Sequence, residues 1–278
     1  MMDIQRKPAA RFKVSACIAE HIGDRAEQQD RVAILTSKRH KGALLAVVAD
    51  GMGGRSGGRM ASDQVLATAE SLFDEVGDGE QDLHGFLEQV ATEAHTVIRL
   101  TAISAEKEPH STMVALFVRK DYAIWGHAGD SRLYFFRAGR LAQCTEDHTY
   151  AAHLRAEGRD QEAAEADKKY KNVLVSALGI SQGPKLSVDE ASGLRVGDAF
   201  LLCSDGLWAY FNEVELGSLV HSLPPRDACD HLVRLARERA NGRGDNLSLA
   251  IVKLETPETR PHRPQASFLV RDPVRSRT

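Results

Sequence analysis

Apolar and polar positions along this chain fall into two kinds of run. Short stretches that are apolar throughout, or that alternate residue by residue, cover 12–18, 31–36, 44–49, 112–118, 122–127, 132–136, 199–203 and 247–254. These predict β-strands. Only Arg119-Lys120-Asp121 separates two of them, and Arg137-Ala138-Gly139-Arg140 follows a third. Strands so close together imply antiparallel hairpins, because a parallel crossover needs a longer connection. Stretches with apolar residues every three or four positions cover 58–75, 82–105, 214–222 and 227–240 and predict helices. In the second, Phe86, Val90, Ala94, Val97 and Ile98 would form one apolar face. Antiparallel strands with separate long helices read as an α+β protein. The segment 150–172 is charged and alanine-rich, with Gly158 as a break. It predicts short, mobile helices outside the core.

Four of the strand-like runs meet an aspartate. Residues 44–49 run into Asp50-Gly51, residues 125–129 into Asp130-Ser131, and residues 200–204 into Asp205-Gly206, while Gly244-Asp245 precedes 247–254. One such aspartate is a turn residue. Four beside apolar strands suggest carboxylates gathered at one edge of a β-structure. Clustered carboxylates repel one another and call for a cation.

Composition narrows the choice. The 278 residues carry a formal charge of −3, which gives no reason to expect nucleic acid or an anionic membrane as partner. No apolar run approaches the roughly 20 residues that span a bilayer. Residues 1–13 are polar and lack the apolar core of a signal peptide. Cys17, Cys144, Cys203 and Cys229 form no Cys-x-x-Cys pair, so reduced, structural thiols in a cytoplasmic protein are expected. From about residue 256 the chain turns rich in Pro, Arg and Ser, and a tail of that composition is expected to be disordered.

The glycine-rich segment from Asp50 to Arg59 lies between a strand and a helix, which invites a nucleotide-binding reading. A G-x-G-x-x-G match from Gly51 puts Ser56 at the third glycine, and Asp50 would face the pyrophosphate with like charge. A P-loop counted from Gly53 reaches Gly58-Arg59-Met60, without Lys or Ser/Thr. Two readings stay open: a tight turn using positive φ, or a ligand carboxylate whose neighbouring backbone carbonyl joins an oxygen-only shell for Mg²⁺ or Mn²⁺.

Taken in order, the motifs resemble those of the metal-dependent serine/threonine phosphatases of type 2C in their short bacterial form. They stand as Gly23-Asp24-Arg25 through Gln29-Asp30, Asp50-Gly51-Met52-Gly53-Gly54, Ser111-Thr112 and Gly129-Asp130-Ser131-Arg132. Thr145-Glu146-Asp147-His148, Ala177-Leu178-Gly179, Ser204-Asp205-Gly206-Leu207 and Gly244-Asp245-Asn246 follow. The resemblance implies a four-layer αββα fold, two antiparallel sheets flanked by helix pairs. It implies one catalytic domain over residues 1–255 with a flap at about 149–173, and residues 256–278 as the tail. It also implies two Mn²⁺ or Mg²⁺ ions and hydrolysis of phosphoserine and phosphothreonine by a metal-activated bridging water. Asp50 should bridge both ions and the Gly51 carbonyl should bind one. Asp205 and Asp245 should hold the other, and Asp130 with Asp205 a weaker third. Arg25 matches the arginine that clamps the phosphate, and Asp30 a carboxylate that organises metal-bound water. Taken alone, Asp130 reads equally as a turn residue and Arg25 as a surface arginine. The implied partners are phosphoproteins and a cognate serine/threonine kinase, with the enzyme a monomer.

The chain departs from the family pattern in places. Gln29 stands where many members have Glu, so a looser metal centre is expected. Met52 cannot donate the proton that a histidine supplies in eukaryotic members. Arg55 and Arg59 add positive charge, and substrate binding by Arg55 with a preference for acidic phosphopeptides is expected. His148 reads as a structural strut, and Trp125 and Trp208 as core.

Overall fold

The computed structural model describes residues 12–37, 42–76, 82–105, 108–170 and 173–257, without the side chains of 55, 56, 104 and 105. In chain order the elements are β1 (Lys13–His21), β2 (Arg31–Thr36), β3 (Ala43–Ala49), β4 (Gly51–Met52), α1 (Gly54–Glu75), α2 (Leu83–Ala105), β5 (His110–Ser111) and β6 (Met113–Arg119). There follow β7 (Tyr122–Ala128), β8 (Arg132–Arg137), β9 (Arg140–Cys144), α3 (Tyr150–Ala156), α4 (Asp160–Lys169) and β10 (Ser187–Ser192). The last are β11 (Asp198–Cys203), α5 (Asp205–Trp208), α6 (Glu213–Ser222), α7 (Pro225–Ala240) and β12 (Leu247–Glu255).

Two five-stranded sheets, ordered β1-β12-β11-β8-β9 and β10-β7-β6-β3-β2, pack face to face with all pairings antiparallel. The apolar core explains why the central strands are apolar throughout. Along β3, Leu44, Ala46 and Val48 face the other sheet, whereas Leu45, Val47 and Ala49 pack with residues of α1 and α2. Along β11, Phe200 and Leu202 face between the sheets, and Ala199, Leu201 and Cys203 pack against α6 and α7. A strand buried on both faces has no polar side to alternate with. Three stacked apolar layers therefore make the expected four-layer αββα sandwich. Trp125 is fully buried between the sheets, as read from the sequence.

The central strands follow the predicted spans to within a few residues. The edge strands β9 and β10 carry no apolar run; β10 is Ser-Val-Asp-Glu-Ala-Ser, with Asp189 and Glu190 exposed. Charge on an edge blocks pairing with another chain, and it also erases the strand signal. In α2, Phe86, Val90, Ala94 and Ile98 are buried, but Val97 turns outward and is 37% exposed, a correction to the predicted face. Helix α1 starts at Gly54, not 58. The glycines explain that start. Gly53 adopts φ 124° at the turn, and a Cβ on Gly51 would lie 2.1 Å from the Gly58 carbonyl oxygen. The helix thus crosses β4 with backbones in contact.

Helices α3 and α4 form a small unit around Ala151, Leu154, Ala163 and Ala166, apart from the main core, with an Arg155–Asp167 ion pair. Thr149 caps α3 by accepting from the Ala152 amide at 3.2 Å. The chain enters and leaves this unit side by side, the Tyr150 amide donating to the Val173 carbonyl. The tail expected at 256–278 lies outside the described residues apart from its first two positions. Among the described residues no helix is long and apolar enough to cross a membrane.

Candidate metal and phosphate site

Asp50 follows β3, Asp130 follows β7, Asp205 opens α5 after β11, and Asp245 lies just before β12. Antiparallel pairing makes these one end of the molecule: the end of β11 faces the start of β12 at Cys203↔Leu249. The end of β3 likewise faces the start of β2 at Arg31↔Ala49, which brings in Asp30. A cleft of about 720 Å³ opens there, lined by Arg25, Glu27, Gln29, Asp50, Gly51, Asp130, Asp205 and Asp245 among others.

Of the residues singled out in the sequence, the cleft gathers Arg25, Asp50, Gly51, Asp130, Asp205 and Asp245. Asp30 is placed differently. It is 1% exposed and sits behind the wall, accepting a 2.6 Å hydrogen bond from the Ser204 hydroxyl and sharing another with Asp50. Arg25 is folded onto Asp245 in a direct ion pair. The side chain of Arg55 lies outside the described residues. Arg59 is exposed and within ion-pair reach of Asp63, which also binds Arg31, so its charge is partly met.

Among the residues lining the cleft, carboxylates outnumber cationic side chains, with Arg25 set against Glu27, Asp50, Asp130, Asp205 and Asp245. Burial raises Asp30 to about 7, with Asp205 and Asp245 adding repulsion that the Ser204 bond only partly offsets. Burial likewise raises Asp130 to about 7, with Asp205 the largest charge acting on it. Burial pushes Asp50 well above the usual carboxylate range, and Asp30, Asp205, Asp130 and Asp245 all push the same way. Among the described residues no three His, Cys, Asp or Glu side chains stand close enough together to hold a metal ion as they are placed. Burial and mutual repulsion thus both disfavour the charged forms of these carboxylates. Hard divalent cations prefer such an all-oxygen set, so the residues fit Mg²⁺ or Mn²⁺.

A stability prediction follows. Asp30 and Asp130 hold protons in the folded chain up to about pH 7. The unfolded chain releases them near 3.8. The unfolded state therefore binds fewer protons across that window, and stability falls as pH rises through it. Metal-free protein in EDTA is expected to melt at least ~5 °C higher at pH 5 than at pH 8, since 1 kcal/mol moves the midpoint by about 2–4 °C at this size. Mn²⁺ is expected to raise the midpoint more at pH 8 than at pH 5. Calorimetry at the two pH values checks both.

Several motif residues around the cleft support it without lining it as ligands. The Thr112 hydroxyl accepts from the Asp50 amide at 2.9 Å and bonds Ser131 at 2.7 Å, so the residue linking β5 to β6 and the turn after β7 hold Asp50 in place. Asn246 donates to the Ile22 and Glu27 carbonyls and accepts from the Gln29 amide, pinning the loop that carries Arg25. Gln29 uses its side-chain amide to donate to the Gly54 carbonyl at 2.9 Å, which ties down the glycine turn. Trp208 is only half-buried, a correction to its reading as core. Its indole N–H donates to the Asp130 carbonyl at 3.0 Å, under the Arg132 guanidinium. His148 is the strut expected: Nδ1 accepts from the Gly129 amide at 3.3 Å and Nε2 bonds Ser187 at 2.9 Å. Burial lowers it to about 4, so it stands neutral. His127 stacks on it with ring centres 4.4 Å apart.

Residues 19–245 match the family described as protein phosphatase 2C. Over 219 residues, 76% of this chain, the sequence is 32% identical to the serine/threonine protein phosphatase PstP of Mycobacterium tuberculosis and covers 40% of it. The chain thus spans less than half the length of that relative. It is 30% identical over 221 residues to the protein phosphatase PhpP of Streptococcus pneumoniae, covering 77% of this chain and 87% of that one. The solved catalytic domain of PstP in complex with two manganese ions is similar with a TM-score of 0.70 at 26% identity, over 87% of this chain and 98% of that one. The matched stretch holds every residue lining the cleft except Asn246, and the chain belongs to the protein phosphatase 2C family.

Proposed function

We propose that this protein hydrolyses phosphoserine and phosphothreonine in phosphoproteins, using two divalent cations, Mn²⁺ or Mg²⁺, held in the carboxylate cleft. The observation that carries it is the convergence of Asp50, Asp130, Asp205 and Asp245 on one cleft, backed by Asp30, with Arg25 at the rim. Asp50 and the Gly51 carbonyl would hold one ion. Asp50, Asp205 and Asp245 would hold the other, and Asp130 with Asp205 a weaker third. When bound, the cations supply Lewis-acid polarisation of the phosphate and a nucleophile at neutral pH.

The chain's own groups do the rest. Arg25 presents a planar fork that matches two phosphate oxygens, and its ion pair with Asp245 keeps it at the cleft until a phosphate takes its place. Asp30 and Ser204, behind the wall, fix the orientation of Asp50. Met52 at the cleft has no proton to give, so no side chain at that position serves the leaving group. The unit ending at about residue 255 carries the activity. The α3–α4 flap, with a core of its own, tunes substrate choice more than chemistry. The natural counterpart is a serine/threonine kinase, and the setting that fits is the cytoplasm.

The test is hydrolysis of an aryl phosphate and a phosphothreonine peptide with Mn²⁺, with and without EDTA. Turnover abolished by EDTA is expected; no Mn²⁺-dependent turnover would sink the reading. Arg25→Ala is expected to lower kcat/KM for the peptide by about 10²-fold, roughly 2.7 kcal/mol. Arg25→Lys should recover little, because an ammonium cannot grip two oxygens in one plane.

A further inference from the structure

The loop that carries Arg25 and the loop that carries Asp245 are joined one residue earlier in each. The Asp24 amide donates to the Gly244 carbonyl at 2.9 Å, and the Gly244 amide donates back to the Asp24 carboxylate at 2.7 Å. The same carboxylate takes two 2.7 Å hydrogen bonds from the Arg237 guanidinium, on the last turn of α7. The contact is tight on every side. A Cβ on Gly244 would lie 2.5 Å from Arg237 Nη1 and 3.0 Å from the Ala240 Cβ, and a Cβ on Gly23 would lie 2.0 Å from the Asp245 carbonyl oxygen. Asp24 and Arg237 have no place in the cleft lining.

We propose that Asp24 and Arg237 are positioning residues: their bidentate pair locks the phosphate-gripping loop to the metal-ligand loop and sets the separation of Arg25 and Asp245. The inference rests on the roles given to Arg25 and Asp245 above. Arg25 and Asp245 are the next residues along from Asp24 and Gly244, and they sit on loops that a flexible link would let drift. The planar fork of Arg237 fixes the Asp24 carboxylate in one orientation, which in turn directs it at the Gly244 amide. Helix α7 is anchored in the core by Leu232 and Ala236, so the lock is referred to a rigid element.

The experiment uses the full chain with Asp24→Ala, Asp24→Asn, Arg237→Ala and the double alanine variant. Mn²⁺ affinity is read by calorimetry, KM and kcat on a phosphothreonine peptide by steady-state kinetics, and folding by the melting midpoint. Each alanine variant is expected to weaken Mn²⁺ binding and raise KM by about 10-fold, with kcat changing less. The double variant should be no worse than either single one, because the two residues act as one unit. Asp24→Asn keeps an acceptor for Gly244 and should fall between wild type and Asp24→Ala. Wild-type Mn²⁺ affinity and KM in the alanine variants would overturn the proposal. So would additive losses, or losses in proportion to the unfolded fraction. If wild type binds Mn²⁺ yet hydrolyses nothing, the functional reading fails while the calorimetric comparison still decides the lock. A wild type that binds no Mn²⁺ overturns both.

Discussion

Asp50→Asn is expected to lower kcat/KM for a phosphothreonine peptide by about 10³-fold or more at saturating Mn²⁺, roughly 4 kcal/mol of transition-state stabilisation. The same substitution is expected to raise the melting midpoint of the metal-free protein. Both follow from one property of the site. Asn keeps the shape of Asp, and the backbone bonds that fix position 50 are untouched: its amide to Thr112 and its carbonyl to the Thr112 amide and Ser111 hydroxyl. What is lost is the charge. In the metal-free cleft that charge is a burden, because Asp30, Asp205, Asp130 and Asp245 all oppose it. Under the proposed function, that charge would be needed to hold both ions. Activity and metal-free stability should therefore move in opposite directions, the trade between function and stability common at such sites. Kinetics with Mn²⁺ beside melting in EDTA checks the pair. Activity within tenfold of wild type, or a lower midpoint in EDTA, would remove Asp50 from the role given to it.

Trp125→Ala is expected to cost about 3–5 kcal/mol of folding stability, read from the midpoint of urea denaturation. That is a large share of the ~5–15 kcal/mol typical of a domain. Trp125 lies wholly between the sheets, its ring centre 6.0 Å from that of Phe200 and 6.3 Å from that of Phe135. No small shift of two five-stranded sheets can close the cavity its loss would leave. Trp125→Phe should cost much less. Its buried indole N–H has no hydrogen-bond partner among the described residues, so the phenyl ring removes an unmet donor while keeping most of the packing. A cost below about 1 kcal/mol for Trp125→Ala would show that the sheets are not held apart by this ring.

Legibility in the sequence followed burial. The central strands announced themselves because both faces are covered: β3 reads Ala-Leu-Leu-Ala-Val-Val-Ala with every residue buried. The edges β9 and β10 did not, because a strand with one neighbour and a wet side needs no apolar run. Val97 fits the periodicity of α2 yet points outward, since a spacing of three or four residues does not say how wide a stripe the sheet will cover. Trp208 looked like core by residue type, and its use of the indole N–H toward Asp130 depends on a strand end seventy-eight positions away.

By itself the sequence determined the family, the apolar runs of the sandwich, and the aspartates beside its strand ends. Local chemistry suffices there: strand burial writes apolar runs, and a charged turn beside glycine writes the motifs. Only the tertiary structure decided that those aspartates share one cleft, that Asp30 lies behind its wall, and that Arg25 rests on Asp245. It alone showed Asp24 and Arg237 meeting across the two loops. The reason is physical. Antiparallel pairing brings together chain ends far apart in sequence, and repulsion, burial and hydrogen bonding act on distance in space, which spacing along the chain does not encode.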